Sequence, residues 1–239
     1  MAVEDRELLA ELDARFALGL KAADLDRFAR REPAARRELW LAHLTTALRR
    51  LLWMQIGVYL EKPDYDEATG MPLAAALAEP GLLPLLHASA RLAEQYREQF
   101  ARALGLRAEG PNLAPLHGRR YGALAGELTR LLALANSPEG AASGDELDAR
   151  LRDLAHFLAA TLHSAVVHAR TTPGGAFTAK VLFGAPLESV RSLKGLEHYQ
   201  SGIFLAAPDG SATPLLPLYI PGDGAGAERL KVRDRKSVV

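Results

Sequence analysis

Cysteine is absent from the 239 residues. Its absence excludes a disulfide framework, a thiolate metal site and a thiol nucleophile, and fits a reducing compartment. Aromatic residues are scarce at 6%, and Lys plus Arg balances Asp plus Glu at 29 each. With no net charge, nothing global steers the chain toward nucleic acid or anionic lipid, so any such binding is local. Long apolar runs are lacking as well. The two most hydrophobic stretches, residues 39–60 and 151–167, are broken by Arg49 and Arg50 in one and by Arg152, Asp153, His156 and His163 in the other. A membrane span of about 20 apolar residues does not carry such interruptions. The opening Met-Ala-Val-Glu-Asp-Arg-Glu has no signal-peptide hydrophobic region. The expectation is a cytoplasmic protein with no membrane partner.

Several catalytic signatures are missing too. Gly174-Gly175 and residues 222–226 carry neither a phosphate-loop Lys-Ser/Thr nor a dinucleotide fingerprint, and no Gly-x-Ser-x-Gly elbow occurs. His156 and His163 are seven residues apart, about 10 Å along a helix, too far to share one metal ion. With Arg152 and Arg170 nearby, they read as solvated surface. No catalytic residue, metal or cofactor is assigned.

What is present is 49% apolar and 24% charged sequence, the balance of a chain with a real core. Leu8, Leu12, Phe16 and Leu20 recur every four residues, and Leu25 and Phe28 follow Gly19, so residues 4–31 read as one broken helix or two short ones. Pro33 can open a helix without losing a bond, and a stripe through Leu41, Leu44, Leu48, Gln55 and Tyr59 runs until Lys62-Pro63 stops it. Residues 61–71 read as a polar loop, followed by a short Ala-rich helix broken at Pro80-Gly81. A long helix is expected from about Pro84 to Leu104, with Gly105 as a left-handed stop. Another carries Leu116 to Leu132. Ser143-Gly144-Asp145-Glu146 has capping-box spacing and opens a helix expected to run from Leu147 to about Ala169.

After residues 172–175 the hydrophobic period changes from helical to alternating. Phe177, Ala179, Val181 and Phe183 form one strand face, and residues 203–205, Pro208-Asp209-Gly210 and residues 215–220 read as a hairpin. Pro214 and Pro217 place its second half at an edge. The expected fold is α-dominant α+β: a helical bundle over residues 1–171, then a small antiparallel β module over 172–233. Residues 234–239, Asp-Arg-Lys-Ser-Val-Val, read as the in-frame translation of a sequencing adapter. That reading makes them a non-native tail and the β module incomplete.

Among surface clusters, His117, Arg119, Arg120 and Tyr121 form the compact one that mixes histidine, basic and aromatic residues near a helix start. They are the candidate binding residues, suited to a phosphate or, less favoured, to RNA. Arg30-Arg31, Arg36-Arg37 and Arg49-Arg50 could align as a basic stripe, although Glu32 and Glu38 weaken its field.

The order of parts carries a resemblance. Helices ending near Leu60 lead to Glu79-Pro80-Gly81-Leu82-Leu83-Pro84, then to residues 131–136 and the helix from Leu147, and then to Gly202-Ile203-Phe204-Leu205 and Thr213-Pro214-Leu215. This layout resembles bacterial proteins that join a HEPN-like helical bundle to a small β module, often linked to kinases, NTPases or anti-phage systems. Active members of that class are metal-independent ribonucleases that use an Arg and a nearby His. At the matching place this chain has residues 134–140, Leu-Ala-Asn-Ser-Pro-Glu-Gly, with neither. Arg37 and His43 fit the loose spacing, but six residues apart they point to different sides of a helix. The resemblance implies a non-enzymatic regulatory or sensory module that binds a partner protein, with ribonuclease activity as the alternative. A second resemblance places the helix from Leu147 and the strand at Phe177 as the opening helix and first strand of a GAF-type small-molecule sensor.

Overall fold

Leucine spacing places the first helix. In the computed structural model, which describes residues 2–60, 67–79, 81–105, 118–135, 144–171, 177–186, 193–194 and 201–215, helix α1 (Ala2–Phe16) buries Leu8, Leu12 and Phe16 on one face. It ends at Ala17, whose φ of 49° is left-handed. Helix α2 (Ala22–Ala29) starts where the Lys21 N–H donates to Asp24 Oδ2 at 3.1 Å, an acceptor for one of the orphan donors at a helix start. The broken helix expected over residues 4–31 is therefore two helices.

Helix α3 (Pro33–Leu60) has proline at its first position, as the sequence predicts. From Leu51 to Tyr59 every residue is buried, so this helix has no solvent face there and forms the axis of the molecule. Helix α4 (Glu67–Ala78) begins within the expected loop of residues 61–71. Its polar first turns read as loop in isolation, whereas Leu73 and Leu77 pack on the core and tertiary burial recruits the segment into a helix. The single helix expected from Pro84 to Leu104 is divided into α5 (Leu82–Gln95) and α6 (Arg97–Ala103). At the junction Tyr96 leaves helical geometry, and its ring packs 5.2 Å from Tyr59 and 6.2 Å from Phe100. Gly105 is left-handed at φ 76°, as expected of a stop.

Helix α7 (Gly118–Ala135) and helix α8 (Gly144–Thr161) complete the bundle. The Ser143 capping-box residue lies outside the described residues. Helix α8 ends well before the expected Ala169, because residues 165–171 form strand β1 (Ala165–Thr171). Phe177 therefore opens the second strand, β2 (Phe177–Gly184), not the first. Strands β3 (Ser201–Ala206) and β4 (Ala212–Pro214) follow. The order is β2-β1-β3-β4 with every neighbour antiparallel, and a bulge interrupts the β1/β2 register between Val166 and Val167. Pro214 sits in β4, an edge of the described sheet, where its missing donor costs no ladder bond.

Burial explains why β1 is hard to see. Val166, with Phe183 and Leu205, belongs to the large core shared with the helices, while Ala165, Val167 and Ala169 pack with Phe204 and Ala206 on the opposite face. At residues 165–167 the strand is buried on both faces and reads as a short continuous apolar run, and directly after a leucine helix such a run looks like more helix, although His168 is half-buried and Arg170 exposed further along. The link between α8 and β1 is fixed on the end of α6: the His163 N–H donates to the Leu104 carbonyl at 2.9 Å and Ser164 Oγ to the Ala103 carbonyl at 2.7 Å. The chain is α-dominant α+β, with one core running from the bundle into the sheet. Leu215, just past β4, lies against Gly57 in the last turn of α3. No described helix is long and apolar enough to cross a membrane.

Candidate functional site

Three helices that pack side by side, α3, α5 and α7, carry both a buried polar clamp and an open groove. Gln55 lies on the apolar stripe of α3, Ser89 on α5 and Tyr121 on α7, all three fully buried. The Tyr121 hydroxyl donates to Ser89 Oγ at 2.7 Å, Ser89 Oγ donates to Gln55 Oε1 at 2.6 Å, and Gln55 Nε2 donates to the Ser89 carbonyl at 3.4 Å. Each group has a partner, so the cost of burying it is met and the relative height of the three helices is set. Burial pushes the Tyr121 hydroxyl pKa far above its ordinary value, and the hydrogen bond with Ser89 pulls weakly the other way.

Along the same helices, about 9 Å from the clamp by helical rise, the packing opens. A groove of about 680 Å³ lies between α3, α5 and α7, walled by Leu41, Leu82, Leu83, Pro84 and Leu132, with Thr45 and Thr46 along one side. Arg49 stands at its edge. Its Nη2 donates to the Glu79 carbonyl at 3.1 Å, its Nε has no hydrogen-bond partner, and no carboxylate among the described residues pairs with it. The groove is apolar with one positive charge at its rim.

Tyr121 is fully buried in the clamp and presents no surface. Arg119 and Arg120 lie on the first turn of α7, and His117 lies outside the described residues. The basic stripe is divided: Arg36 and Arg37 meet carboxylates, whereas Arg31 and Arg49 meet none among the described residues. Arg36 approaches Asp5 at 3.9 Å, Arg37 Nε is 2.6 Å from Asp148 Oδ1, and Arg50 donates to the carbonyls of Phe16 and Ala17 while stacking 5.5 Å from the centre of the Phe183 ring. Arg152, expected in solvent, instead forks onto Asp5, which is 2% exposed. His163 has left the helix and meets the Ala160 carbonyl at 3.0 Å, while His156 is exposed. Arg37 and His43 do not converge: Arg37 is held by Asp148 on α8, and His43 lines a separate crevice with residues of α1 and α2. The segment 136–143, which includes most of the place matching the ribonuclease motif, lies outside the described residues. Among the described residues no three His, Asp or Glu side chains are placed to share a metal ion.

The clamp had a signal in the sequence, since Gln55 interrupts a leucine stripe at a position that helical spacing buries. The groove had none, because its walls come from residues more than 80 positions apart. Together they define an α-dominant bundle, capped by a small antiparallel sheet, with one open apolar channel between three locked helices. No protein-family model, curated protein or solved structure matches the chain.

Proposed function

We propose that the chain is a non-enzymatic regulatory or sensory module that acts by docking a partner protein in the groove between α3, α5 and α7. The supporting observation is the groove itself: partly exposed Leu41, Leu83 and Leu132 form one apolar channel beside the unneutralised Arg49. An amphipathic helix buries its apolar face in such a channel, and an acidic side chain beside that face would meet Arg49. The buried clamp keeps the helices in register, so the channel is preformed and docking carries little reorganisation cost. The layout resemblance to bacterial signalling and defence proteins supplies the setting, a cytoplasmic assembly in which the partner carries the activity.

Photo-crosslinking in the native cells tests this. A crosslinker at Leu83 should give one discrete adduct, lost in Leu132→Glu and weakened in Arg49→Glu, while a crosslinker at exposed Lys180 on β2 gives none. Equal labelling from both positions, or none from Leu83, sinks the docking reading. RNA cleavage by the purified protein that disappears in His43→Ala or His117→Ala would favour the ribonuclease alternative.

A further inference from the structure

A second surface feature lies on a separate face of α3, at the junction of α1, α2 and α3. A crevice of about 230 Å³ has a floor of Leu9, Leu20, Phe28 and Leu39, and Arg31 and His43 line it with Asp24 and Arg27. Leu9 and Phe28 are fully buried beneath it, so the floor is core and its shape is fixed.

The polar side chains there differ in their commitments. Asp24 is engaged twice, accepting the Lys21 N–H and pairing with Arg27 at 3.6 Å. Those two charges cancel. The Arg31 side chain makes no hydrogen bond or ion pair among the described residues, although Arg6, Arg27, Arg36 and Arg37 are each paired. Burial holds the His43 imidazole below its ordinary pKa against the upward pull of Asp13 and Asp24, which leaves it neutral near pH 7. The remaining charge is a single guanidinium above an apolar floor, beside a neutral imidazole that can donate or accept.

We infer that this crevice binds a small monocarboxylate with a short apolar body, the body on Leu9, Leu20, Phe28 and Leu39 and the carboxylate on Arg31 and His43. A guanidinium fork matches the two oxygens of a carboxylate, and one positive charge balances one negative charge. The volume lies below the roughly 300–1,000 Å³ of drug-sized sites, which excludes a nucleotide. A doubly charged phosphate would be left half neutralised over leucine and phenylalanine, where an unbalanced charge is costly. No residue lines both the crevice and the groove, so this inference stands apart from the docking reading and can fail or succeed alone.

Titration of the whole chain followed by NMR tests it, with hexanoate, hexanamide and inorganic phosphate as probes. Hexanoate should give saturable shifts centred on Leu9, Phe28 and His43, and hexanamide should bind about tenfold more weakly because it lacks the charge that Arg31 reads. Inorganic phosphate should give no saturable shift there. Arg31→Gln should cost hexanoate about tenfold and hexanamide little, while leaving the melting temperature of the free protein nearly unchanged, since the exposed side chain has no hydrogen bond or ion pair to lose among the described residues. The inference is overturned if hexanoate shifts do not saturate, if they map outside the crevice, if Arg31→Gln binds hexanoate as the parent does, or if phosphate matches hexanoate.

Discussion

Arg152 on α8 forks onto Asp5 on α1, with Nε 2.6 Å from Oδ1 and Nη2 3.4 Å from Oδ2. The two residues are 147 positions apart, and the carboxylate is 2% exposed. The hydrogen bond to Asp5 raises the Arg152 pKa further above its already high ordinary value. Removing the arginine strands a buried carboxylate beside Arg36 at 3.9 Å. Arg152→Met should therefore cost about 3 kcal/mol in urea unfolding. Asp5→Asn should cost less, about 1 to 2 kcal/mol, because the guanidiniums it releases are partly in water. The reverse order of costs would mean that the pair does not hold the two helices together.

The buried clamp predicts an alkaline limit. The Tyr121 hydroxyl has its pKa raised by burial, while in the unfolded chain it ionises near about 10. A raised folded-state value means that the folded form keeps its proton longer. The contribution to stability is then complete below about pH 10 and is lost as pH rises above it, by up to about 1.4 kcal/mol per pH unit. Tyr121→Phe should flatten that alkaline decline and cost about 1 kcal/mol at neutral pH. Unfolding curves from pH 8 to pH 11 decide it; an equal slope in both proteins would place the ionising group elsewhere.

A gain of stability is expected at one residue. Ala17 ends α1 at φ 49°, a left-handed conformation that disfavours any residue with a Cβ. Ala17→Gly should relieve about 1 kcal/mol, offset in part by the larger entropy of glycine in the unfolded chain. A rise of a few degrees in melting temperature is the expected readout. A fall would show that the turn does not adopt this backbone in solution.

The opposite substitution should fail inside α3. Alanine exceeds glycine in helix preference by about 1 kcal/mol, yet a Cβ at Gly57 would lie 2.8 Å from Leu215 Cδ2 and 3.3 Å from Leu215 Cα. Gly57→Ala should destabilise, lowering the urea midpoint, because Leu215 must shift out of its seat. A higher midpoint would mean that Leu215 does not rest there.

The parts of the fold legible in the sequence share a physical trait. The first half of α3 and the start of α8 show one apolar stripe over several turns, so periodicity exposes them. β1 was missed because its first three residues, 165–167, are buried on both faces and show no alternation. The Ala-rich part of α4 was expected, but its start was placed too late because the first turn is polar and its burial depends on distant residues. At the candidate sites, Gln55 in a leucine stripe was the visible trace of the clamp. The ion pairs that occupy Arg36, Arg37 and Arg152 join residues 31 to 147 positions apart, and no local pattern announces them. For that reason the basic stripe looked continuous in the sequence, whereas in the fold its central pair, Arg36 and Arg37, is held by carboxylates.

The seat of Leu215 on Gly57 has a consequence for how the chain is made. The two residues are separated by 158 positions, and synthesis at about 5–20 residues per second puts roughly 8 to 32 s between them. During that interval the longest helix is complete, but its last turn faces a place that the late-arriving leucine fills. The growing chain carries an unfinished apolar notch at the end of α3, open to water until Leu215 arrives to close it.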